Sequence, residues 1–174
     1  MTTWKIDPAH SEVQFKVKHL MITTVTGQFG NFDATVEAPG EDFANASIKF
    51  ETEVASISTK NADRDGHLQS PDFFDAANHP KITFVSKEVK KLDDENYKVA
   101  GDLTIRGNTK PVELTVEYGG TQKDPWGQTK AGFEFSSKIS RKDFGLTFNA
   151  TTETGGVVLS DDVKLLGSVQ FIKQ

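Results

Sequence analysis

Four histidines are the side chains best suited to proton transfer or metal binding near neutral pH. They are His10, His19, His67 and His79. No two of them have the i, i+4 spacing of a helical metal site of the HExxH type. A zinc site needs three or four converging donors, and the chain has no cysteine to supply a thiolate or a disulfide. The pattern favours structural histidines at strand ends and turns, and it predicts no metal site and no cofactor.

One acidic run partly resembles a calcium-binding loop. Asn61, Asp63 and Asp65 alternate ahead of Gly66, and Asp72 stands at the twelfth position. A calcium loop normally begins with Asp and ends with a bidentate Glu, so the match fails at both ends. Asn61 is better interpreted as the N-cap of a short helix, with Asp63 placed favourably for the helix dipole.

The run Arg141-Lys142-Asp143 precedes Phe144 and is the last candidate for chemistry. No nucleophile and base accompany it, and the chain contains neither GxSxG nor a phosphate-binding glycine loop. We therefore expect Arg141 to pair with a carboxylate near the rim of the fold and Phe144 to cover an opening. The chain is predicted not to be an enzyme.

Eight long segments alternate apolar and polar residues, which is typical of half-buried β-strands. They are 11–20, 24–37, 46–54, 82–91, 97–106, 110–118, 129–140 and 163–172, and Trp4–Ile6 is expected to form a short closing strand. Gly27 and Gly30 are expected to mark bends, and turns are expected to start at Gly119-Gly120 and at Pro125-Trp126-Gly127. Eight antiparallel strands with polar outer faces favour a closed barrel, and a sandwich is the remaining alternative.

The segment 61–84 interrupts this alternation once. It predicts a short helix over Asn61–Leu68, breaks at Ser70-Pro71 and His79-Pro80, and carries adjacent phenylalanines at 73 and 74. Long connections without strand content are uncommon unless they are functional. We interpret this segment as a helical lid over one end of the barrel.

Composition narrows the function classes. The 174 residues predict a single domain over 1–174, and the net charge of −5 argues against nucleic acid, which requires a basic surface. No apolar run is long enough to span a membrane. The N-terminus has no signal-peptide pattern, so the expected location is the cytoplasm.

Phenylalanine is over-represented, with 13 Phe against 2 Tyr and 2 Trp, which indicates a large apolar interior. The inward phase also carries small residues: Thr52, Ser86, Gly101, Ala131, Ser137 and Gly167. Two explanations remain open. Small residues could face large ones across a tapering, fully packed barrel, or they could leave room for a ligand.

Four stretches, taken together, resemble the YceI-like family of bacterial lipocalin-like proteins. They are WKIDPAHSEVQFKVKHLMITTVTGQF (4–29), DRDGHLQSPDFFDAANHPKITFVS (63–86), GDLTIRGNTKPVEL (101–114) and SRKDFGL (140–146). The resemblance implies an all-β fold, an extended eight-stranded antiparallel lipocalin-like barrel with one helical lid. It also implies a bound polyisoprenoid, isoprenoid quinone or similar lipid, a carrier or transport role, and a homodimer.

Inward phase and this resemblance together predict the residues that bind the ligand. The expected lining is Phe15, Val17, Phe29, Ile48, Phe50, Phe84, Leu103, Ile105, Phe133 and Phe135, closed by Leu68, Phe73 and Phe74, with His19 on the headgroup. Two alternatives remain. One is an enzyme acting on a lipid or small hydrophobic substrate through His19 or His67, and the other is an interaction protein whose barrel is simply packed.

Overall fold

The computed structural model describes residues 1–149 and 158–174, and in this part of the chain one antiparallel sheet and one α-helix form the fold. The strands are β1 (Thr2–Ile6), β2 (Glu12–His19), β3 (Thr23–Phe29), β4 (Phe32–Ala38), β5 (Ser47–Glu53), β6 (Ile57–Ser58), β7 (Lys81–Lys91), β8 (Asn96–Ile105), β9 (Asn108–Lys123), β10 (Thr129–Ser140) and β11 (Leu159–Lys173). The helix is α1 (Ala62–Gln69).

The sheet closes into an eight-stranded antiparallel barrel, as predicted. Its ring runs β1-β4-β5-β7-β8-β9-β10-β11, and β11 pairs back with β1. Three strands of the ring continue beyond a short break: β1 continues as β2, β4 is preceded by β3, and β5 continues as β6. Each of these pairs forms one long, bent segment of the barrel wall. One of these breaks falls at Gly30-Asn31, where a bend was expected, although a single strand was predicted over 24–37.

The two ends of the barrel differ in their strand pairing. At the end that carries the chain termini, here called the closed end, the ring is continuous. At the opposite end, here called the lid end, β9 pairs with β10 no further than Thr115, and β6 is the outer strand of its sheet. Among the described residues, the wall at the lid end therefore consists of two arcs, β7-β8-β9 and β10-β11-β2-β3-β6.

Alternation places the core inside the barrel. In β8 every second residue is buried, from Tyr97 to Ile105, while the residues between them are partly exposed. Two glycines lie directly opposite aromatic residues on the neighbouring strand: Gly27 faces Phe15, and Gly167 faces Phe135. A Cβ atom would lie 2.2 Å from the Phe15 ring at the first position and 2.3 Å from the Phe135 ring at the second. Both glycines accommodate an aromatic ring; Gly167, one of the small inward residues, thus faces a large side chain, although on the neighbouring strand rather than across the barrel.

The turn expected at Gly119-Gly120 is wrong. Both glycines lie within β9, where the pairing with β10 shifts register between Gly132 and Phe133. Gly119 is the extra residue of a β-bulge, and Gly120 has a φ of +116°, which glycine adopts without steric cost. The chain reverses further on, where Asp124 Oδ1 accepts hydrogen bonds from the backbone of Trp126 and Gln128, each 2.9 Å long.

The predicted helix is present within one residue of its expected bounds. Asn61 caps it, because its Oδ1 accepts a hydrogen bond from the Arg64 backbone N–H at 3.0 Å, and the chain leaves the helix at Ser70. None of the residues of α1 is fully buried. No helix in the described ranges is both long and apolar enough to cross a membrane.

Candidate ligand cavity

A cavity of about 500 Å³ runs through the barrel. It extends from Ile6 and Phe171 at the closed end to Leu146 and Phe148 at the lid end, and its wall is almost entirely apolar. A volume of this size lies within the range of ligand pockets. The barrel therefore contains both features at once: glycines that pack against aromatic rings, and a cavity with room for a ligand.

The structure places all fourteen predicted ligand-binding residues on the wall of this cavity. They are Phe15, Val17, His19, Phe29, Ile48, Phe50, Leu68, Phe73, Phe74, Phe84, Leu103, Ile105, Phe133 and Phe135. Contact between these residues and a ligand stays a prediction.

An aromatic cluster fills the closed end. Phe43, from the β4–β5 connection, lies 5.3 Å from Trp4, 5.6 Å from Tyr118 and 4.9 Å from Phe133, measured between ring centroids. Phe43 and Trp4 are each 7% exposed. Tilted and edge-to-face rings at these separations attract one another beyond their burial, so this cluster is a packed plug.

The lid covers the opposite end through Leu68, Phe73 and Phe74. The Phe74 ring packs edge-on against Phe29 at 6.2 Å, and Phe73 packs against Phe148 at 5.1 Å. Arg106, in the β8–β9 turn, holds the lid by donating a hydrogen bond from Nη1 to the Phe73 carbonyl at 3.0 Å.

Thr59, which follows β6, fastens the start of the lid. Its hydroxyl donates to Asp65 Oδ1 at 2.6 Å and accepts from Arg64 Nε at 2.7 Å. Its backbone N–H donates to Asp65, and its carbonyl accepts from Arg64 Nη2. Four hydrogen bonds therefore converge on one residue, and they constrain the helix more than its modest burial does.

Polar groups on the cavity wall gather at the lid end. His19, Arg64 and His67 line this part of the cavity. His67 Nε2 lies 2.8 Å from Asp72 Oδ2, and the imidazole packs edge-on against the rings of Phe73 and Phe148. The cavity is therefore an apolar shaft with a cationic and imidazole-bearing mouth.

Arg141 does not pair with a carboxylate, so that expectation is wrong. It is 3% exposed, and its guanidinium donates to the backbone carbonyls of Ser160, Leu146, Phe148 and Leu159. Burial lowers the pKa of Arg141, and the nearby charge of Asp161 acts in the opposite direction. Two of these carbonyls come from the irregular stretch after β10 and two from the start of β11, and a fixed, fork-shaped donor satisfies all four.

Phe144 is 1% exposed and belongs to the buried core. It does not line the cavity. The expectation that it covers an opening of the barrel is therefore corrected: its backbone carbonyl accepts from Asn108 Nδ2 at 2.9 Å, which ties the turn after β10 to β9.

The other histidines have structural surroundings. His10 Nδ1 lies 2.8 Å from Asp7 Oδ2, and the His79 ring packs where a side chain at Gly107 would stand. Within the described ranges, no three His, Asp or Glu side chains come together as a metal site. Asn61 and Asp65 of the calcium-like run are engaged as a helix cap and as the partner of Thr59.

Sequence reasoning missed Arg64, Thr59 and Phe43. Arg64 could have been found, because a helix capped by Asn61 places residues 64, 67 and 68 on one face, and Leu68 was expected to point inward. Phe43 gave no such signal, since it stands in a short irregular connection rather than in an alternating segment.

The sequence and fold comparisons agree on one family. The YceI-like domain matches residues 4–171. UPF0312 proteins of Staphylococcus epidermidis and Staphylococcus aureus are each 42% identical over 172 residues, covering 98% of both chains. The chain belongs to the YceI-like family.

Solved structures share its architecture. BcnA of Burkholderia cenocepacia superposes with a TM-score of 0.82 at 25% identity, covering 95% of this chain and 98% of that one. The YceI protein of Campylobacter jejuni gives 0.76 at 36% identity, covering 90% of each chain. A polyisoprenoid binding domain from Saccharophagus degradans gives 0.69 at 13% identity over 98% of each chain, a likeness of fold.

Proposed function

We propose that the barrel is a non-catalytic carrier that encloses one long apolar chain, a polyisoprenoid, an isoprenoid quinone or a fatty-acid-like lipid. The observation that carries this proposal is the cavity itself, about 500 Å³ and apolar along almost its whole wall. A shaft of this kind excludes compact polar metabolites, because each buried polar group would need a partner that the wall does not supply.

The length of the strands that enclose the cavity favours a long ligand over a globular one. The ten residues of β8 alone span about 33 Å at roughly 3.3 Å per residue. Each CH₂ buried against such a wall contributes roughly 0.8 kcal/mol, so a chain of many carbons binds tightly without directional contacts.

The mouth at the lid end suits a headgroup with hydrogen-bond acceptors. Arg64 is held by Thr59 through Nε and Nη2, and its Nη1 has no hydrogen-bond acceptor among the described residues. His19 and His67 add two more groups able to donate. A quinone carbonyl, a hydroxyl, a carboxylate or a phosphate would each be recognised here.

The family comparison supports a carrier of this class. The domain from Saccharophagus degradans is described as polyisoprenoid binding and has this fold. At 13% identity it shares the fold alone, so the ligand class proposed for this chain depends on its own cavity residues.

The test is native mass spectrometry of gently purified protein, followed by organic extraction and identification of the lipid. We expect a stoichiometric mass excess that extracts as an isoprenoid or fatty chain, or stoichiometric uptake of added ubiquinone or palmitate by stripped protein. Folded protein that carries no lipid and takes up neither probe would overturn the proposal.

Phe50→Asp is the matched variant for this experiment. It places a carboxylate on the cavity wall, where an unpaired charge is strongly disfavoured beside an apolar chain. We expect retention to fall below detection. Lys49→Asp changes the neighbouring outward-facing residue of β5 and should retain lipid like the unaltered protein.

One observation favours an enzyme acting on a lipid or small hydrophobic substrate as a second candidate. The His67–Asp72 pair, 2.8 Å apart at the mouth, has the geometry in which a carboxylate orients a general base. Turnover of a lipid ester that is lost in His67→Ala and kept in His19→Ala would support this reading. Absence of turnover with full lipid retention would support the carrier.

A further inference from the structure

The β2–β3 hairpin ends in an exposed apolar tip. Leu20, Met21 and Ile22 are 40%, 58% and 76% exposed, and they are consecutive. Single exposed apolar residues are ordinary on any protein surface, whereas a contiguous exposed group at a hairpin turn indicates an interaction site.

The backbone at this tip is strained. Leu20 and Met21 have φ angles of +53° and +60°, and the Ile22 backbone N–H donates to the His19 carbonyl at 3.2 Å. A tight hairpin turn with two left-handed residues is the position that Asn-Gly occupies most favourably. Large apolar side chains are unfavourable here in two ways, because the backbone φ is positive and because the side chains are exposed to water. Since neither feature stabilises the fold, we interpret the strain as a sign of function.

Lysines lie behind the tip on the outer face of the barrel, along β2 and across β11 and β10. Lys18 and Lys16 precede it on β2, and Lys16 lies directly opposite Lys164 of β11, which in turn lies opposite Lys138 of β10. Asp162, 3.2 Å from Lys138, is the carboxylate paired within this row. Like charges opposite one another on neighbouring strands repel, so the row suits an anionic surface that neutralises it. The patch is basic on a chain whose net charge is −5.

The spacing along β2 matches the layers of a bilayer surface. At roughly 3.3 Å per residue, Lys18 stands about 7 Å and Lys16 about 13 Å behind Leu20. A tip inserted by roughly 5–10 Å to the acyl boundary would place Lys18 at the level of the lipid phosphates and Lys16 just outside them. Along the strand, the apolar tip therefore lies at the depth of the acyl chains, and the lysines lie at the depth of the headgroups.

We propose that the β2–β3 hairpin docks the lid end onto an anionic lipid bilayer, with Leu20, Met21 and Ile22 inserted and the lysine row on the phosphates. This proposal rests on the proposed carrier function for its purpose. His19 immediately precedes the tip and lines the cavity, so docking brings the cavity mouth to the bilayer. A long apolar chain could then pass between bilayer and barrel without crossing water.

The test uses sedimentation of the full chain with vesicles of phosphatidylcholine alone or with 30% phosphatidylglycerol, at low and high salt. We expect binding to the anionic vesicles that weakens as salt rises. Leu20→Asn combined with Met21→Gly should weaken it at least about ten-fold, and each of Lys16→Gln and Lys18→Gln about five-fold.

The tip variant separates docking from folding, because its two effects have opposite signs. Asn-Gly relieves the left-handed strain, so Tm should rise by about 2–4 °C while vesicle binding falls. Binding that is unchanged in this variant, or absent in the unaltered protein, would overturn the proposal.

Tryptophan fluorescence reports which end docks. Trp126 is 85% exposed at the closed end, and Trp4 is 7% exposed. In Met21→Trp combined with Trp126→Phe, anionic vesicles should shift the emission to shorter wavelength, whereas the emission of the unaltered protein should stay constant. A shift of the Trp126 emission in the unaltered protein would instead place the contact at the closed end and contradict the proposal.

Native mass spectrometry of the tip variant distinguishes this proposal from the carrier function. We expect full lipid content with slower transfer from vesicles, so loss of docking leaves the cavity intact. If the variant instead converts a dimer into a monomer and the unaltered protein ignores vesicles, the tip is an interface with a second copy and the docking proposal fails.

Discussion

The two ends of this barrel are closed by different interactions. At the closed end, aromatic rings from several strands and one connection pack around Phe43, and the ring of strands is complete. At the lid end, a helix without a fully buried residue is fastened by hydrogen bonds to Thr59, and the segment after it is held by a hydrogen bond from Arg106 to the Phe73 carbonyl. The ring of strands is complete around the packed aromatics, whereas the lid is attached by a few hydrogen bonds and ring contacts beside a split wall, so local opening is easier at the lid end. Ligand exchange is therefore expected at the lid end.

The largest effect should come from removing the plug. Phe43→Ala deletes a 7% exposed ring from the aromatic cluster and should cost about 3–5 kcal/mol in the free energy of unfolding. Leu68→Ala, the corresponding truncation in the half-buried lid, should cost roughly 1–2 kcal/mol. Urea denaturation measures both. Equal losses would show that the two ends do not differ as described.

Acid should weaken the closed end through Asp7. Burial acts to raise the pKa of Asp7, but hydrogen bonds from His10 and Lys130 outweigh it, so the pKa is lowered from the ordinary value of 3.8. A lowered carboxyl pKa contributes stability above the unfolded-state value, and this contribution is lost as pH falls through the lower, folded-state value. Asp7→Asn should therefore destabilise by about 1–2 kcal/mol at pH 7 and by much less near pH 2.

Urea denaturation at the two pH values checks this expectation. Asp33→Asn, which alters a 60% exposed carboxylate 3.7 Å from Lys5, is the control and should change little at either pH. A deficit of Asp7→Asn that persists undiminished in acid would contradict the assignment.

The smallest effect on stability, with a clear effect on rate, is expected at Thr59. Thr59→Val removes the hydroxyl that bonds Asp65 and Arg64, and this should lower the free energy of local unfolding of the lid by about 1 kcal/mol. Ligand release should become roughly five-fold faster, and amides 62–80 should exchange faster with deuterium while β8 stays protected. Ser58→Ala changes the preceding residue and should leave release unchanged.

The sequence predicted most of the barrel because period-two alternation is local information. β8 shows the pattern without exception, and the fourteen residues on the cavity wall were predicted from inward phase together with the resemblance to the YceI-like family. Contacts distant in sequence were not predictable in this way. Arg141 was assigned a carboxylate because charge is visible in a sequence, whereas the Leu146 and Phe148 carbonyls that it satisfies are brought to it only by the folded chain.

Glycine shows the same limit. The pair Gly119-Gly120 has the composition of a turn, yet the register between β9 and β10 makes it a bulge within a long strand. Gly27 was expected to mark a bend, and for Gly167 packing against a large residue and leaving space for a ligand were both open; the two glycines lie opposite Phe15 and Phe135 on neighbouring strands. The role of a glycine in a strand depends on the residue that the neighbouring strand places opposite it, and the local sequence does not say which strand is the neighbour.

The split wall at the lid end has a consequence for selectivity. Backbone hydrogen bonds fix the diameter of the barrel at the closed end, but at the lid end no strand pairing within residues 1–149 and 158–174 joins the arcs β7-β8-β9 and β10-β11-β2-β3-β6 along their edges. Ser137 Oγ, donating to the Glu113 carbonyl at 2.7 Å, is one of the side-chain links that span them. The opening at the lid end can therefore widen to admit headgroups of different size, whereas the fixed diameter of the rest of the barrel limits the thickness of the chain that the proposed carrier encloses. The protein should therefore discriminate among lipids by the thickness and length of the chain, and tolerate headgroups of different size.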